Sequence, residues 1–424
     1  MKRLCMLLLV ALTALPLAWT TLGISQVKQE LMIDKSFDAP EDGRLEVHVG
    51  DADVALLSGP GDEVHVAVTL YGQNMDRARE YFEKQQFSVT HSGGLIRVAS
   101  YGKELLRLEP EGTAASWIHV RVTTPKKFDA NVRTRDGDIE VGNLKGDLRL
   151  RTADGDITAD ELAGPYLSLL SLDGDIVSSR LNAEIIDIHT SDGDLDFDEI
   201  ATGKMTARTL DGDIELGNLT GDLRFKTSAG GIKVDELAGP YLSLHTLDGY
   251  IISSRLFAEI IDIHTSDGDL YLDEVATRKV VARTQDGDIH IVQLHGDGEL
   301  RTDYGDIHVS TLVGTVSSAH ASDGTIMLTN VEGDLSVTGS DTDVELHLQA
   351  PGNVVVATSS GDIELTIPQD HPADLVLRGD DVHMDSYINF DGRVDDDYAE
   401  GRINGGGNLI KVRTSDGDVV LQTK

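Results

Sequence analysis

From about residue 129 onward, apolar and polar residues alternate in short bursts, and each burst ends at a turn that contains glycine. In the stretch DGDIEVGNLKGDLRLRTADGD, Ile139 and Val141 face one way on a first strand, and Leu148 and Leu150 do so on a second. Alternation with a period of two residues marks strands that bury one face. The turn glycines stand at 137, 155, 174, 193, 212, 230, 249, 268, 287, 305 and 324, always 18 or 19 residues apart, and the register runs on through Thr342, Gly361 and Gly379. After an interruption the beat returns at Gly417, 38 residues or two rungs beyond Gly379 on this count.

Strict repetition at this period marks a solenoid. Equivalent strands stacked in parallel about 4.8 Å apart pair every backbone group with the rungs above and below. The expected fold class is therefore all-β, a parallel single-stranded β-solenoid (β-helix) with about 19 residues per rung, right-handed because parallel crossovers almost always are. Residues 129–424 would form the repeat domain, with about fourteen or fifteen rungs in a rod of roughly 70 Å. A longer repeat is laid over the short one: the block starting GDITADELAGPYLSLLSLDGD at Gly155 reappears 75 residues later as GGIKVDELAGPYLSLHTLDGY at Gly230. Four rungs were copied together, which a solenoid tolerates because each rung touches only its neighbours.

Residues 26–128 do not keep the beat. LEVHVGDADVALLSG, DEVHVAVTLYG, FSVTHSGGLIRVAS and WIHVRVTTP read as strands, and MDRAREYFEKQQ (75–86) as a short helix. This region is expected to cap the rod or to form a separate small domain. A second irregular stretch at about 380–410, with Gly405, Gly406 and Gly407, would cap the other end.

Counting from the turn glycine brings out four columns. Three residues before it stand Thr134, Thr152, Ser171, Thr190, Thr209, Thr227, Thr246, Thr265, Thr284 and Thr302, with Thr358 and Thr414 further on. Hydroxyls at a strand end can satisfy turn backbone groups, so this column reads as structural. One residue earlier lie Arg133, Arg151, Leu170, His189, Arg208, Lys226, His245, His264, Arg283, Arg301 and His320, a basic column interrupted once. Aspartates flank the glycine on both sides, as in Asp154 and Asp156, Asp192 and Asp194, or Asp211 and Asp213. Aspartate beside glycine suits a tight turn, in which the carboxylate accepts from backbone N–H groups and glycine takes φ > 0. Stacked carboxylates repel by about 1 kcal/mol per pair in a water-like dielectric, and the basic column would offset part of that. The same acids could hold calcium, but their spacing is not that of calcium-binding repeats, so turn chemistry is the stronger account.

Charge narrows the partners. Lys and Arg number 36 against 73 Asp and Glu, a formal net charge of −37, which opposes binding of nucleic acid or of an anionic lipid surface. The N-terminal residues 1–25, with Lys2, Arg3, an apolar run and then Gly23 and Ser25, have the layout of a secretory signal peptide, or of an uncleaved anchor that would be the only membrane contact. Export to the periplasm, the cell envelope or the medium is expected. The single cysteine, Cys5, lies in that segment, so the mature chain has no disulfide. Catalytic, cofactor-binding and metal-ligating residues are expected to be none. There is no HExxH, GxSxG or phosphate-cradling loop, and a glycosidase pair must be singular, whereas these acids recur on nearly every rung. The triplet Arg378, Gly379, Asp380 falls on the rung register and reads as coincidence.

The strand pair around GDADV (50–54), VRVTTP leading into TRDGDIEV, and the terminal INGGGNLIKVRTSDGDVVL together resemble a bacterial family known as domain of unknown function 4097, labelled putative adhesin. The resemblance covers nearly all of the mature chain. It implies an exported β-solenoid and carries over no catalytic residues. The reading that follows is an adhesin-like or envelope scaffold protein whose partner is an unknown protein or polysaccharide of the envelope or surface. The alternatives are a self-assembling solenoid like the bactofilins and a polysaccharide-acting enzyme. Any specific site should lie where the columns break, around Leu170, Ala229, Tyr250 and Tyr304.

Overall fold

The computed structural model describes residues 27–39, 43–102 and 116–424, so the signal-like segment 1–25 lies outside the described residues. The chain is 68% strand and winds into a parallel β-solenoid of about 12 turns spaced about 19 residues apart. Stacking is in register, so equivalent residues lie over one another. Ile157, Ile176, Leu195, Ile214, Ile232, Ile251, Leu270, Ile289 and Ile307 form one such column, and each is fully buried. Burying an aliphatic side chain of this size contributes about 1.5–3 kcal/mol, and the column repeats that gain on every rung.

Most rungs are not two short strands. Ile176–His189, Leu195–Arg208 and Ile251–His264 are each one continuous 14-residue ladder. The mid-rung bend keeps its pairing because parallel neighbours follow the same bend, as Arg180 and Leu181 show opposite Glu199 and Ile200. That bend adds a third inward column, which includes Leu162, Leu181, Ile200, Leu219, Leu237 and Leu256. Where a rung is one residue shorter, the deficit is taken up there, at register shifts beside Gly221 and Gly296.

The turn glycines are needed for a reason other than the expected one. Among those from Gly137 to Gly305, none has positive φ. A Cβ placed on Gly212 would instead stand 2.0 Å from the carbonyl oxygen of Gly193, and one on Gly193 2.1 Å from that of Gly174. Each turn rests its backbone on the turn beneath, and no side chain fits between them.

At both ends the order of stacking departs from the order of the chain. Arg44–His48 and Ala52–Gly59 pair with Asp129–Arg133 and Ile139–Val141 on one side, and with Leu95–Ala99 and Ser116–Pro125 on the other. The N-terminal region is thus continuous with the rod. Its outer side turns antiparallel: Glu63–Gly72 pairs with Ser116–Pro125 and then with Lys28–Asp38, and Ser88–Ser92 pairs with Leu95–Ala99. The expected helix is present as Met75–Gln85, with the Asn74 side chain accepting from the N–H groups of Asp76 and Arg77.

The C-terminal end repeats the device. Asn408–Arg413 and Val419–Thr423 lie between the strands Val354–Ala357 and Ile363–Ile367 and the strands Ala373–Arg378 and Val382–Met384. Gly417 therefore does not follow Gly379 along the rod. It rests on Gly361, and the chain has gone out one rung and returned beneath it. This folding back is why a count of glycines along the sequence overstates the regular turns. Tyr398–Ile403 then closes the end antiparallel to Ala373–Arg378 and Phe390–Val394.

Beside this closure His371 is fully buried, and neither ring nitrogen has a hydrogen-bond partner among the described residues. Burial pushes its pKa down, against a smaller opposing effect of Asp370.

Gly212→Ala should cost about 1–3 kcal/mol or more, since the clash is with backbone, whereas Gly50→Ala, with nothing within 4 Å of the new methyl group, should be nearly silent. Chemical denaturation of the two variants checks this. His371 predicts loss of stability in acid: below about pH 6.5 the unfolded chain takes up a proton that the buried ring resists, so stability falls as pH drops. The thermal midpoint of wild type should fall more steeply between pH 7 and 5 than that of His371→Leu, and equal slopes would assign the effect elsewhere.

Candidate functional site

The turn edge is built by two ladders of polar side chains. From Thr152 to Thr302 each hydroxyl donates to the carbonyl of the turn glycine one rung below at 2.9–3.1 Å, and accepts from the N–H of its own turn glycine at 3.0–3.3 Å. These hydroxyl residues are buried. Each therefore staples its own turn to the one beneath, as a structural column should. The pattern fails near the end: Thr358 donates to Ser360, and the buried hydroxyl of Thr414 has no partner among the described residues.

The aspartate after the glycine has a similar task. The Oδ1 atoms of Asp138, Asp156, Asp175 and Asp194 accept from the backbone N–H one rung above at 2.8–3.0 Å, and Asp269, Asp288 and Asp306 do the same at 2.7–2.9 Å. The acceptor serves the neighbouring turn rather than its own. Aspartates before the glycine, such as Asp154, Asp173, Asp192 and Asp211, are exposed. Among the described residues no group of three or more His, Cys, Asp or Glu side chains is placed to hold a metal ion.

The basic column is one continuous ladder. Strand registers place His48, Arg133, Arg151, Leu170, His189, Arg208, Lys226, His245, His264, Arg283, Arg301 and His320 over one another without a gap. His48 was not visible as a member, because its rung is out of chain order. Beyond Thr338 and Ala357 the column resumes with Arg413 and Arg378, so the arginine of the RGD triplet ends this ladder. The rings of His245 and His264 meet edge to face at 5.8 Å. Burial holds the His264 pKa below the ordinary value, with His245 adding to that effect.

Residues on the same wall interlock with the ladder. Arg149 lies 5.3 Å over the ring of Tyr166, and 75 residues further along Arg224 lies 4.8 Å over the ring of Tyr241. The four-rung duplication carried this stack with it. An open groove of about 640 Å³ runs beside His264, Arg283, Arg301 and His320.

The breaks in the columns are of different kinds. Leu170 is a half-buried member of the ladder, and Ala229 takes the place of a turn aspartate. The ring of Tyr250 lies over Gly231, where a Cβ would meet it at 2.7 Å, so these two departures from aspartate fit each other. Tyr304 is exposed. On the wall that follows the turns, Tyr271, His290 and His308 form a short run of ring contacts, with 4.8 Å between the two histidines.

Three stretches of the chain, residues 43–236, 217–318 and 315–422, match the family model described as Toastrack, DUF4097. No curated protein matches. Among solved structures, the chain is similar to a putative adhesin from Bacteroides fragilis, with 12% identity, a TM-score of 0.28, and coverage of 58% of this chain and 97% of that one. It is also similar to a putative cell adhesion protein from Clostridium sporogenes, with 8% identity, a TM-score of 0.18, and coverage of 94% and 100%. A third is described as a putative lipid binding protein, from Parabacteroides distasonis, with 12% identity, a TM-score of 0.21, and coverage of 77% and 96%.

Substitution at Asp194 separates its acceptor from its charge. Asp194→Asn keeps an oxygen for the Asp213 N–H and relieves repulsion in the column, so it should be neutral or stabilising. Asp194→Ala should lose about 0.5–1.5 kcal/mol relative to Asp194→Asn, and Asp192→Ala should not. Urea midpoints of the three variants test the assignment.

Proposed function

The chain belongs to the Toastrack family, DUF4097, and on that footing we propose that it is an exported adhesin-like or envelope scaffold protein that holds its partner along the walls of the rod. The observation that carries this reading is where the polar chemistry goes. From Thr152 to Thr302 the turn hydroxyls, and from Asp138 to Asp306 one oxygen of each post-glycine aspartate, are spent on neighbouring backbone, while basic side chains stand at eleven of the twelve successive ladder positions on the outer face of the wall. What remains for a partner is a long repeated surface. A surface of that form suits a protein or polysaccharide of the envelope or cell surface.

Two other readings have less support. Catalysis wants one pair of acids set apart from all others in a shaped cleft, and acids that recur rung after rung do not single out a pair. End-to-end polymerisation wants open parallel edges, whereas antiparallel strands flank both ends of this rod.

Co-sedimentation of the purified chain with isolated cell envelopes tests the adhesin reading. Saturable binding that unlabelled chain displaces is expected, together with a monomer in sedimentation velocity at micromolar concentration. Absence of saturable binding would sink it, and concentration-dependent filaments would favour self-assembly.

A further inference from the structure

We propose that the basic wall is a binding site for a linear acidic polysaccharide that carries one carboxylate on each sugar ring. This rests on the adhesin reading and narrows it to one wall and one ligand chemistry.

The first support is the distribution of charge. On the ten rungs from Arg133 to Arg301, the three outward positions that lead up to the turn hold ten lysines and arginines against seven acids, while the whole chain has 36 against 73. A cationic strip thus runs along an acidic rod. Exposed acids on the far walls lie beyond the Debye length of about 8 Å at physiological salt, so the acids nearest the strip are those of the turns, such as Asp211 and Asp213 beyond Arg208.

The second support is that the strip is only partly neutralised from within: Arg149, Arg224, Lys279 and Arg283 pair with acids of the strip, and most of the ladder's own cations do not. If the ladder existed to offset the turn aspartates, its cations would reach them. Of the ion pairs that ladder residues make, those of His245 and Arg283 go to Asp262 and Glu299 on the same wall, and only Arg301 reaches a turn aspartate, Asp303. Among the described residues Arg133, Arg151, Arg208 and Lys226 have no ion pair at all. Stacked cations about 4.8 Å apart repel by roughly 1 kcal/mol per neighbouring pair even in water, and an anion from outside relieves that.

The third support is spacing. Permanent cations come in pairs, Arg133 with Arg151, Arg208 with Lys226, and Arg283 with Arg301, and each pair begins four rungs after the last. An extended chain of sugar rings advances by about one ring per rung of about 4.8 Å, so carboxylates on neighbouring rings would meet the two members of one pair, and those four rings further on would meet the next pair. The first two pairs lie beside the Arg149–Tyr166 and Arg224–Tyr241 stacks, where a tyrosine offers an apolar ring face next to the charge. Duplex DNA fits less well. It carries one charge per about 1.7 Å of axis, far denser than the ladder, and the −37 charge of the chain opposes it.

The test is binding of the purified chain to polygalacturonate, measured by calorimetry at low and physiological salt, beside fully methyl-esterified polygalacturonate and a DNA duplex. The acid polymer should bind at least tenfold more tightly than its neutral ester and than DNA, and should weaken as salt rises. Arg208→Gln with Lys226→Gln should weaken binding at least tenfold at a thermal midpoint no lower than that of wild type. Arg180→Gln with Lys233→Gln, the same charge change on other positions of the rung, should leave it intact. Equal binding of acid and ester, preference for DNA, or equal loss in both double variants would overturn the proposal. If polygalacturonate fails to bind while envelopes still do, the ligand assignment falls and the adhesin reading stands.

Discussion

The backbone hydrogen bond between neighbouring parallel strands holds the rungs about 4.8 Å apart, and the rest of the molecule is fitted to that distance. At the turns it leaves no room for a Cβ: one on Gly212 would stand 2.0 Å from the Gly193 carbonyl oxygen. It brings the Thr209 hydroxyl to 3.0 Å from that same oxygen, and the Asp194 carboxylate to 2.8 Å from the N–H of Asp213. Inside, it stacks like on like, so one aliphatic residue per position is enough to specify a core. Outside, it stacks like charges too, and the cost of doing so is what makes the wall chemistry informative.

The repeat made most of this readable in advance. A period of 18 or 19 residues with alternating burial leaves few folds to choose from, and Ile139, Val141, Leu148 and Leu150 all point inward as their spacing implied. The columns were legible because in-register stacking turns a position in the repeat into a place in space. Two things were not. Why glycine is required at the turn depends on the atom of the neighbouring rung that it faces, and a φ-based argument on one rung cannot see that atom. The order of the end rungs was hidden because the repeat reports position within a rung and says nothing about which rung lies next. For that reason a count along the chain puts Gly417 beyond Gly379 and does not show His48 as part of the ladder.

The two surfaces of the four-rung duplication show how little the core restrains the walls. Asp156 and Asp175 in the first copy correspond to Gly231 and Tyr250 in the second, and Asp196 corresponds to Tyr271. The inward residues around them keep their burial. Each outward position can change as long as its neighbours one rung away accommodate it, as Gly231 accommodates the ring of Tyr250. A rod of this kind separates the code for folding from the code for recognition.

The interleaved ends bear on how such a rod withstands force. Val419–Thr423 is flanked by Ile363–Ile367 on one side and Val382–Met384 on the other, and Ala52–Gly59 is held in the same way between Ser116–Pro125 and Ile139–Val141. A strand on an open edge peels away one hydrogen bond at a time. A strand with a neighbour on each side must be drawn out lengthwise, with both rows of bonds breaking together. Tension drawn through Val419–Thr423 is therefore met as shear, whereas Lys28–Asp38, paired among the described residues only with Glu63–Gly72, would peel first, so the two ends of the rod yield to force in different ways.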